Sequence, residues 1–499
     1  MRLRSLDPAL RSLESAWAVI CAGWIVAATK GWINYAARTE PIGADAVVYF
    51  SWATALNGDY GLGLHPGAGF YPDYWPPGFF YVLALFLRVF GDNWQIYALF
   101  GASLAALSVW CVVRLAVRCG MGRRAALAAG LAYALSGSLL LNAISVGTDV
   151  LGVTLFMVAI LLLVVSIERG WLSVAVASGI MLGLASLTRS NYLLFVVFLM
   201  LVFALRLPKR EPWMRQAVVC LTVATVCVLI TVAPWIARNY QTTDRLSPVS
   251  SNGAINFLIG NQPFADGGSD PWTEAEERVM VNMGMDRVLE LKGSGSWCCT
   301  IQPKHVLAYN LTNPGFMVRN TFNKLHYLLF TEEMGLDPLF LRTNTVFSLA
   351  THTLFWGLVV VGMVRFWRAG SPAHLVIIAI WAYGVLSVLP FFGDPRFRVS
   401  FAPAVFILLA AGMQAVWTRR NILSSMRESL RIWPLTAIWV GVLFSFVLWA
   451  SAIGTELSVW VRSGNSIEQF LVLSMHAVAC LGVALAFIKT RVEDSLGTR

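Results

Sequence analysis

Apolar runs of about span length alternate with short polar stretches along most of the chain. A helix needs about 20 apolar residues to cross roughly 30 Å of hydrocarbon. Runs of that kind, some shortened by polar ends, fall near 12–33, 95–117, 125–144, 148–166, 171–187, 190–206, 216–235, 344–364, 374–391, 399–417, 434–453 and 468–488. The pattern predicts an all-α polytopic membrane protein with about twelve transmembrane helices. The first run lacks a small-residue cleavage site before a polar mature region, so it reads as an uncleaved anchor. The stretch 77–90, PGFFYVLALFLRVF, is apolar but too short to span, which predicts an interfacial or re-entrant helix.

Composition agrees with the pattern. With 57% hydrophobic and 13% charged residues and a mean hydropathy of +0.66, a soluble domain is excluded. The net charge of +10 does not call for nucleic acid, because the arginines sit in short clusters between apolar runs, as membrane topology requires. With the N-terminus inside, the short cytoplasmic loops hold most of them, among them Arg118, Arg123, Arg124, Arg169, Arg206, Arg365 and Arg368. The short external loops then hold only Arg189, Arg396, Arg398 and Arg462, and counting 77–90 as a span would reverse that bias. Both termini are expected in the cytoplasm. Two long loops, about 34–94 and 236–343, fall outside, and a long loop in a compact protein is more often functional than idle. The expected organisation is a transmembrane module over 1–235 that includes the first loop, an external subdomain over 236–343, and further transmembrane helices over 344–499. Eight cysteines are too few and too scattered for a disulfide scaffold, and the adjacent Cys298 and Cys299 receive no chemistry.

Polar residues gathered on the external face are the candidates for chemistry. Asp45 follows the first span and precedes VVYFSWATAL, which is apolar enough for a surface helix. It reads as a general base at the membrane boundary or as a solvated loop acid or helix N-cap. Asp149, in SVGTDVLG, stands where a functional acid and an acid placed for the helix dipole are equally at home. Asp73 in FYPDYWPPG lies on the same side, and several carboxylates on one face suggest a shared site. Arg189, Arg238, Arg396 and Arg398 occupy the side where short-loop arginine is otherwise rare. That argues for phosphate recognition over snorkelling to the interface. Asn252, Asn256 and Asn261 in SSNGAINFLIGN offer amides to a sugar or phosphate, or form an ordinary turn-rich loop. His305 and His326 have no ligand-like spacing, so no metal ligands are assigned.

Taken in order, these segments resemble the GT-C glycosyltransferases. The nearest branch is the dolichyl-phosphate-mannose-protein mannosyltransferase-like group, which includes bacterial aminoarabinose and galacturonic-acid transferases. The resemblance covers about the first 265 residues and returns at GDPRFRVSFAP. It rests on Asp45, on the Tyr-x-Pro-Pro turn of Tyr74, Pro76 and Pro77, on Thr148-Asp149 and on GLASLTR. PWIARN followed by SSNGAINFLIGN, and PRFR before a Pro-containing span, complete it. It implies a GT-C helical bundle with interfacial helices in the first external loop, lying in a bacterial inner membrane with a periplasmic active site. The donor would be a sugar linked through phosphate to a polyprenol. The acceptor would be a glycolipid, a lipopolysaccharide core or a protein. Asp45 would be the base, with inversion at the anomeric carbon. Arg189, Arg238, Arg396 and Arg398 would stabilise the leaving phosphate, and Asp149 would shape the acceptor side. Asp73, Tyr74 and the three asparagines would contact sugar or acceptor. No cofactor is firmly implied; metal dependence is not a fixed feature of the superfamily, which leaves a divalent metal open.

There are departures. Ala46 stands where many relatives carry a second acid, and Tyr74-Trp75 stands where aminoarabinose-type relatives have Glu-Lys. The missing lysine sets aminoarabinose transfer to lipid A apart from the other expectations. Two other function classes compete: a polyprenol-linked-sugar flippase or transporter, and a surface-polysaccharide polymerase or ligase. A transporter should carry mid-membrane charges and broken helices in paired halves, whereas here the charges collect at helix ends on one face.

Overall fold

The computed structural model describes residues 20–58 (except 22, 30, 32, 36–41 and 44), 73–206, 213–244, 247–269, 273–285, 302–330 and 345–418. The described residues are helical or in turns and contain no strand. The spans predicted over 434–453 and 468–488, together with Cys298 and Cys299, lie outside them.

In the first loop the two apolar stretches form helices, α1 (Ala46–Asn57) and α2 (Gly78–Phe90), which pack on each other. Their shared core holds Tyr49, Trp52, Phe79, Phe80 and Leu83. α3 (Trp94–Arg118), α6 (Thr148–Arg169) and α9 (Met214–Thr243) are long and apolar enough to cross a membrane unaided. Between them lie α4 (Arg123–Ala134), α5 (Gly137–Ile144), α7 (Leu172–Thr188) and α8 (Phe195–Ala204). α6 packs on α7 and α7 on α9. Gly179 and Gly183 make the second crossing close, because a Cβ on either would meet Cys227 or Thr231 of α9 at 2.6 Å.

Two predicted spans have a different form. The run 125–144 is a bent pair, α4 and α5 meeting at 49°. Ser136 causes the break, since its hydroxyl donates to the Tyr133 carbonyl (2.7 Å) and accepts from the Leu139 amide (3.3 Å), capping a new helix. The run 190–206 starts with a 3₁₀ turn at Ser190–Tyr192, because Arg189 before it is extended. α9 also outruns its prediction by a full two turns, reaching Thr243 with Pro234 inside it. At 30 residues it is about 45 Å long, so it projects beyond the hydrocarbon.

The second long loop contributes α10 (Gly253–Asn261), α11 (Glu274–Asn282), α12 (Pro303–Thr312) and α13 (Pro314–Phe330). Ile255, Leu258, Met280, Met285 and Val306 form a small apolar core there, with Tyr74 of the first loop packed against it. The chain then returns through α14 (Thr345–Ala369) and α15 (Pro372–Leu386). A 3₁₀ helix at Pro395–Ser400 leads into α16 (Ala402–Thr418).

Candidate active site

Backbone geometry brings the first loop to the start of α6. The Tyr35 hydroxyl donates to the Ile144 carbonyl (2.7 Å) and accepts from the Ile42 amide (3.1 Å), and the Val146 amide donates to the Ile42 carbonyl (2.7 Å). Gly43, at φ +139°, lies against the Val146 carbonyl, a conformation that favours glycine. Asp45 and the Thr148-Asp149 pair are therefore neighbours although about a hundred residues separate them.

Asp45 occupies the N-cap position of α1 but makes no side-chain cap bond, which leaves its carboxylate for other work. Oδ2 accepts from Arg396 Nη1 at 3.1 Å. About a third of each side chain is exposed, at 31% for Asp45 and 37% for Arg396, so the pair is open to a ligand. Arg396 is held in turn by Asp394, whose carboxylate accepts from the Arg396 amide (2.9 Å) and lies 3.6 Å from Nε. Burial works against the Arg396 charge, but Asp45 and Asp394 outweigh it and hold the guanidinium above its ordinary pKa.

Asp149 lies in the first turn of α6, where the helix dipole favours an acid. It also forms an ion pair with Arg189, the residue that closes α7. The position at the helix start and the ion pair therefore coexist at this acid. The Arg189 stem lies flat on Gly152, one turn into α6, where a Cβ would sit 3.0 Å from Arg189 Cδ. Phe397 joins the two ion pairs: the Arg189 and Arg396 guanidinium carbons lie 5.8 and 5.5 Å from its ring centroid. Tyr49, one turn after Asp45, is buried, with the Thr148 side chain beside it. Burial pushes that phenol up, and the charge of Asp45 adds to the effect. Asp45, Asp149, Arg189 and Arg396 thus converge, while Tyr49, Gly152 and Phe397 complete the arrangement without having been singled out in the sequence.

A second group lies alongside. Asp73 is 2% exposed, and one of its carboxylate oxygens is buried without a hydrogen-bond partner. Arg238, near the C-terminal end of α9 and 4.6 Å over the Trp235 ring, is its cationic neighbour. The Ser251 amide donates to the Asp73 carbonyl (2.8 Å), and the Ser250 hydroxyl bridges to Ser190 (3.1 Å) and Asn252 (3.0 Å). Asn252 thus sits beside the residue next to Arg189, and the half-buried Asn256 follows one turn on in α10, its amide donating to the Asn252 carbonyl (3.1 Å).

Two expected ligand-binding residues are committed elsewhere. Arg398, 1% exposed, donates to the carbonyls of Tyr327 and Leu328 at the end of α13, a helix-capping task. Asn261, 9% exposed, gives its amide to Pro390 (2.7 Å) and Phe257 (2.8 Å) and accepts from Lys324. Among the described residues no group of three or more His, Cys, Asp or Glu side chains could hold a metal ion.

Residues 75–237, which include Asp149 and Arg189, match the family model for dolichyl-phosphate-mannose-protein mannosyltransferase. No curated protein matches the chain in sequence. Among solved structures, it is similar to the archaeal oligosaccharyltransferase AglB from Archaeoglobus fulgidus in complex with an inhibitory peptide and a dolichol-phosphate. That likeness has 14% identity and a TM-score of 0.52, over 92% of this chain and 59% of that one. The Archaeoglobus fulgidus oligosaccharyltransferase in complex with Zn and sulfate gives 16% identity and a TM-score of 0.51, over 83% and 52%. ArnT from Cupriavidus metallidurans bound to undecaprenyl phosphate gives 18% identity and a TM-score of 0.44, over 94% and 76%. The chain spans just over half the length of the oligosaccharyltransferases, and at these identities the likeness is one of fold. The chain has the GT-C fold of these structures, and residues 75–237 within it match the family model for dolichyl-phosphate-mannose-protein mannosyltransferase.

Proposed function

We propose that the chain is an inverting glycosyltransferase that moves a sugar from a polyprenyl-phosphate donor to a hydroxyl acceptor at the external face of a bacterial inner membrane. The observation that carries this reading is the meeting of two acid–arginine pairs, Asp45–Arg396 and Asp149–Arg189, around Phe397. Two neighbouring guanidiniums suit a phosphate oxyanion, and two carboxylates beside them suit a hydroxyl that must lose its proton. The dolichol-phosphate in the AglB complex is consistent with such a donor.

In this mechanism the acceptor oxygen attacks the anomeric carbon from the face opposite the phosphate, and its proton passes to Asp45. The bond between that carbon and the phosphate oxygen breaks, and the electron pair leaves with the polyprenyl phosphate. Arg189 and Arg396 stabilise the charge that develops there, with Arg238 in support from the second group. Asp149 fixes Arg189 and borders the acceptor side. Asp73, Tyr74, Asn252 and Asn256 line the approach of sugar or acceptor, which would be a glycolipid, lipopolysaccharide or protein.

The test is transfer of labelled sugar from polyprenyl-phosphate donors in membranes, comparing the native chain with Asp45→Asn at matched expression. Loss of transfer with donor binding retained is expected. Full activity in the variant removes Asp45 from the mechanism. A native chain that transfers nothing from any donor tried shifts the reading to a flippase.

A further inference from the structure

Lys324 of α13 is a lysine buried to 2% exposure, outside the paired acids. Its ammonium donates to Asn261 Oδ1 at 2.8 Å and to the Leu389 carbonyl at 2.9 Å. Asn261 ends α10, gives its amide to the Pro390 carbonyl, and through its own carbonyl accepts from Asn310 of α12 at 2.7 Å. One ammonium and two amides thus fasten three helices of the second long loop to residues 389–390.

The chain just beyond is fastened to the same helix. The Gly393 amide donates to the Gly267 carbonyl (2.8 Å), and Gly393 lies so close to α13 that a Cβ there would meet Tyr327 Cβ at 2.8 Å. Arg398 holds the carbonyls of Tyr327 and Leu328. Asp394 and Arg396 lie between these two anchors, so the placement of α13 determines where Arg396 meets Asp45.

Both partners of the Lys324 ammonium are neutral oxygens, which repay only part of its desolvation. Burial accordingly pulls the amine down to about 8. A methionine would fill much the same space without that cost, so a purely structural role is poorly served by a lysine. We propose that Lys324 is a positioning residue for the transfer reaction: by joining Asn261 to the Leu389 carbonyl it sets the placement of residues 390–398, and with them the presentation of Arg396 to Asp45. This rests on the transferase reading. The other titratable or charged groups on the elements packed here are Arg319, His326 and Tyr327 on α13, Lys304, His305 and Tyr309 on α12, and Asp394, Arg396 and Arg398 on the following segment, with Asp266 reached through the Tyr327 hydroxyl at 2.9 Å.

The experiment compares the full-length native chain with Lys324→Met, Lys324→Arg, Arg396→Ala and the Lys324→Met/Arg396→Ala double variant. It reads transfer kinetics across pH, together with hydrogen exchange of the peptide spanning 387–400. Lys324→Met is expected to lower kcat about tenfold with little change in KM, on the order of what an ångström-scale displacement costs. The native rate should fall above about pH 8 as Lys324 loses its proton, a limb absent in Lys324→Met and moved upward in Lys324→Arg. The double variant should be no slower than Arg396→Ala alone, and exchange over 387–400 should quicken in Lys324→Met. Native kinetics in Lys324→Met, or losses that multiply in the double variant, would overturn the proposal. Where Lys324→Met does not fold, an alkaline limb unmoved in Lys324→Arg overturns it. If the native chain transfers nothing, the transferase reading fails, and the exchange data still decide whether Lys324 holds the segment.

Discussion

Gly152→Ala separates the chemistry of the site from the stability of the fold. A Cβ there would sit 3.0 Å from Arg189 Cδ, 3.2 Å from Cγ and 3.3 Å from Tyr192 Cε2, whereas ordinary contact begins near 3.4 Å. The Arg189 stem must retreat by at least the 0.4 Å between 3.0 and 3.4 Å, and it draws on the Asp149 ion pair as it does so. If a misplacement of about 1 Å costs about 100-fold in rate, a shift of this size costs roughly five- to tenfold. Stability should move little. Alanine in a helix interior gains about 0.5–1 kcal/mol over glycine, offsetting a packing strain of about 1 kcal/mol or slightly more. Transfer of labelled sugar in membranes, with thermal unfolding of the same protein in detergent, reads both quantities. The expected result is a several-fold lower kcat at a nearly unchanged Tm. A native rate in Gly152→Ala would refute the role given to Arg189, and a rate loss matched by loss of folded protein would reduce it to a folding effect.

Gly183→Val should destabilise the bundle outright. A Cβ at that position would already lie 2.6 Å from Thr231 Cβ, and forcing larger groups into a close-packed crossing costs about 1–3 kcal/mol. A clearly lower Tm is expected in detergent, and an unchanged one would mean that α7 and α9 do not cross there. Stability should also depend on pH through Lys324. Burial lowers its pKa from 10.5 to about 8, so between those values the folded chain binds fewer protons than the unfolded one. That raises stability as pH rises through the window, and below it the buried charge is a full cost. Thermal unfolding near pH 7.5 and pH 10 should show a rise in the native chain that Lys324→Met lacks, and equal slopes in the two would remove Lys324 as the cause.

Helices were legible in the sequence because the membrane imposes one length on apolar runs, and α3 and α6 lie close to where those runs fall. The bend between α4 and α5 was not legible. It depends on a single hydroxyl, Ser136, choosing backbone partners over the helix, and hydropathy does not register that choice. Four residues of the proposed site were legible in the sequence: Arg189 and Arg396 as arginines in loops expected on the side where short-loop arginine is rare, and Asp45 and Asp149 as carboxylates expected on that same face. Two of the missed residues carry a helical signal. Tyr49 stands four positions after Asp45 and Gly152 three after Asp149, the spacings at which side chains share a helix face.

Arg396 and Arg398 show where such reasoning needs local geometry. In PRFR they look equivalent, but the segment is a 3₁₀ helix with about three residues per turn, so side chains two apart differ in direction by about 240°. One of them can face Asp45 only if the other faces away, and α13 receives it. The same geometry places Phe397 between them in sequence, against the Arg189 guanidinium. Lys324 is harder still to foresee. Its partners are 63 and 65 residues away, in a loop whose sequence carries no regular apolar period. Membrane topology predicts which residues share one face, and the short helices of the loop decide which of those meet. That division places the adjustable part of the site in the loop helices α10 to α13: a substitution at Asn261 or Lys324 should retune Arg396 while leaving Asp149 and Arg189 on α6 and α7 in place.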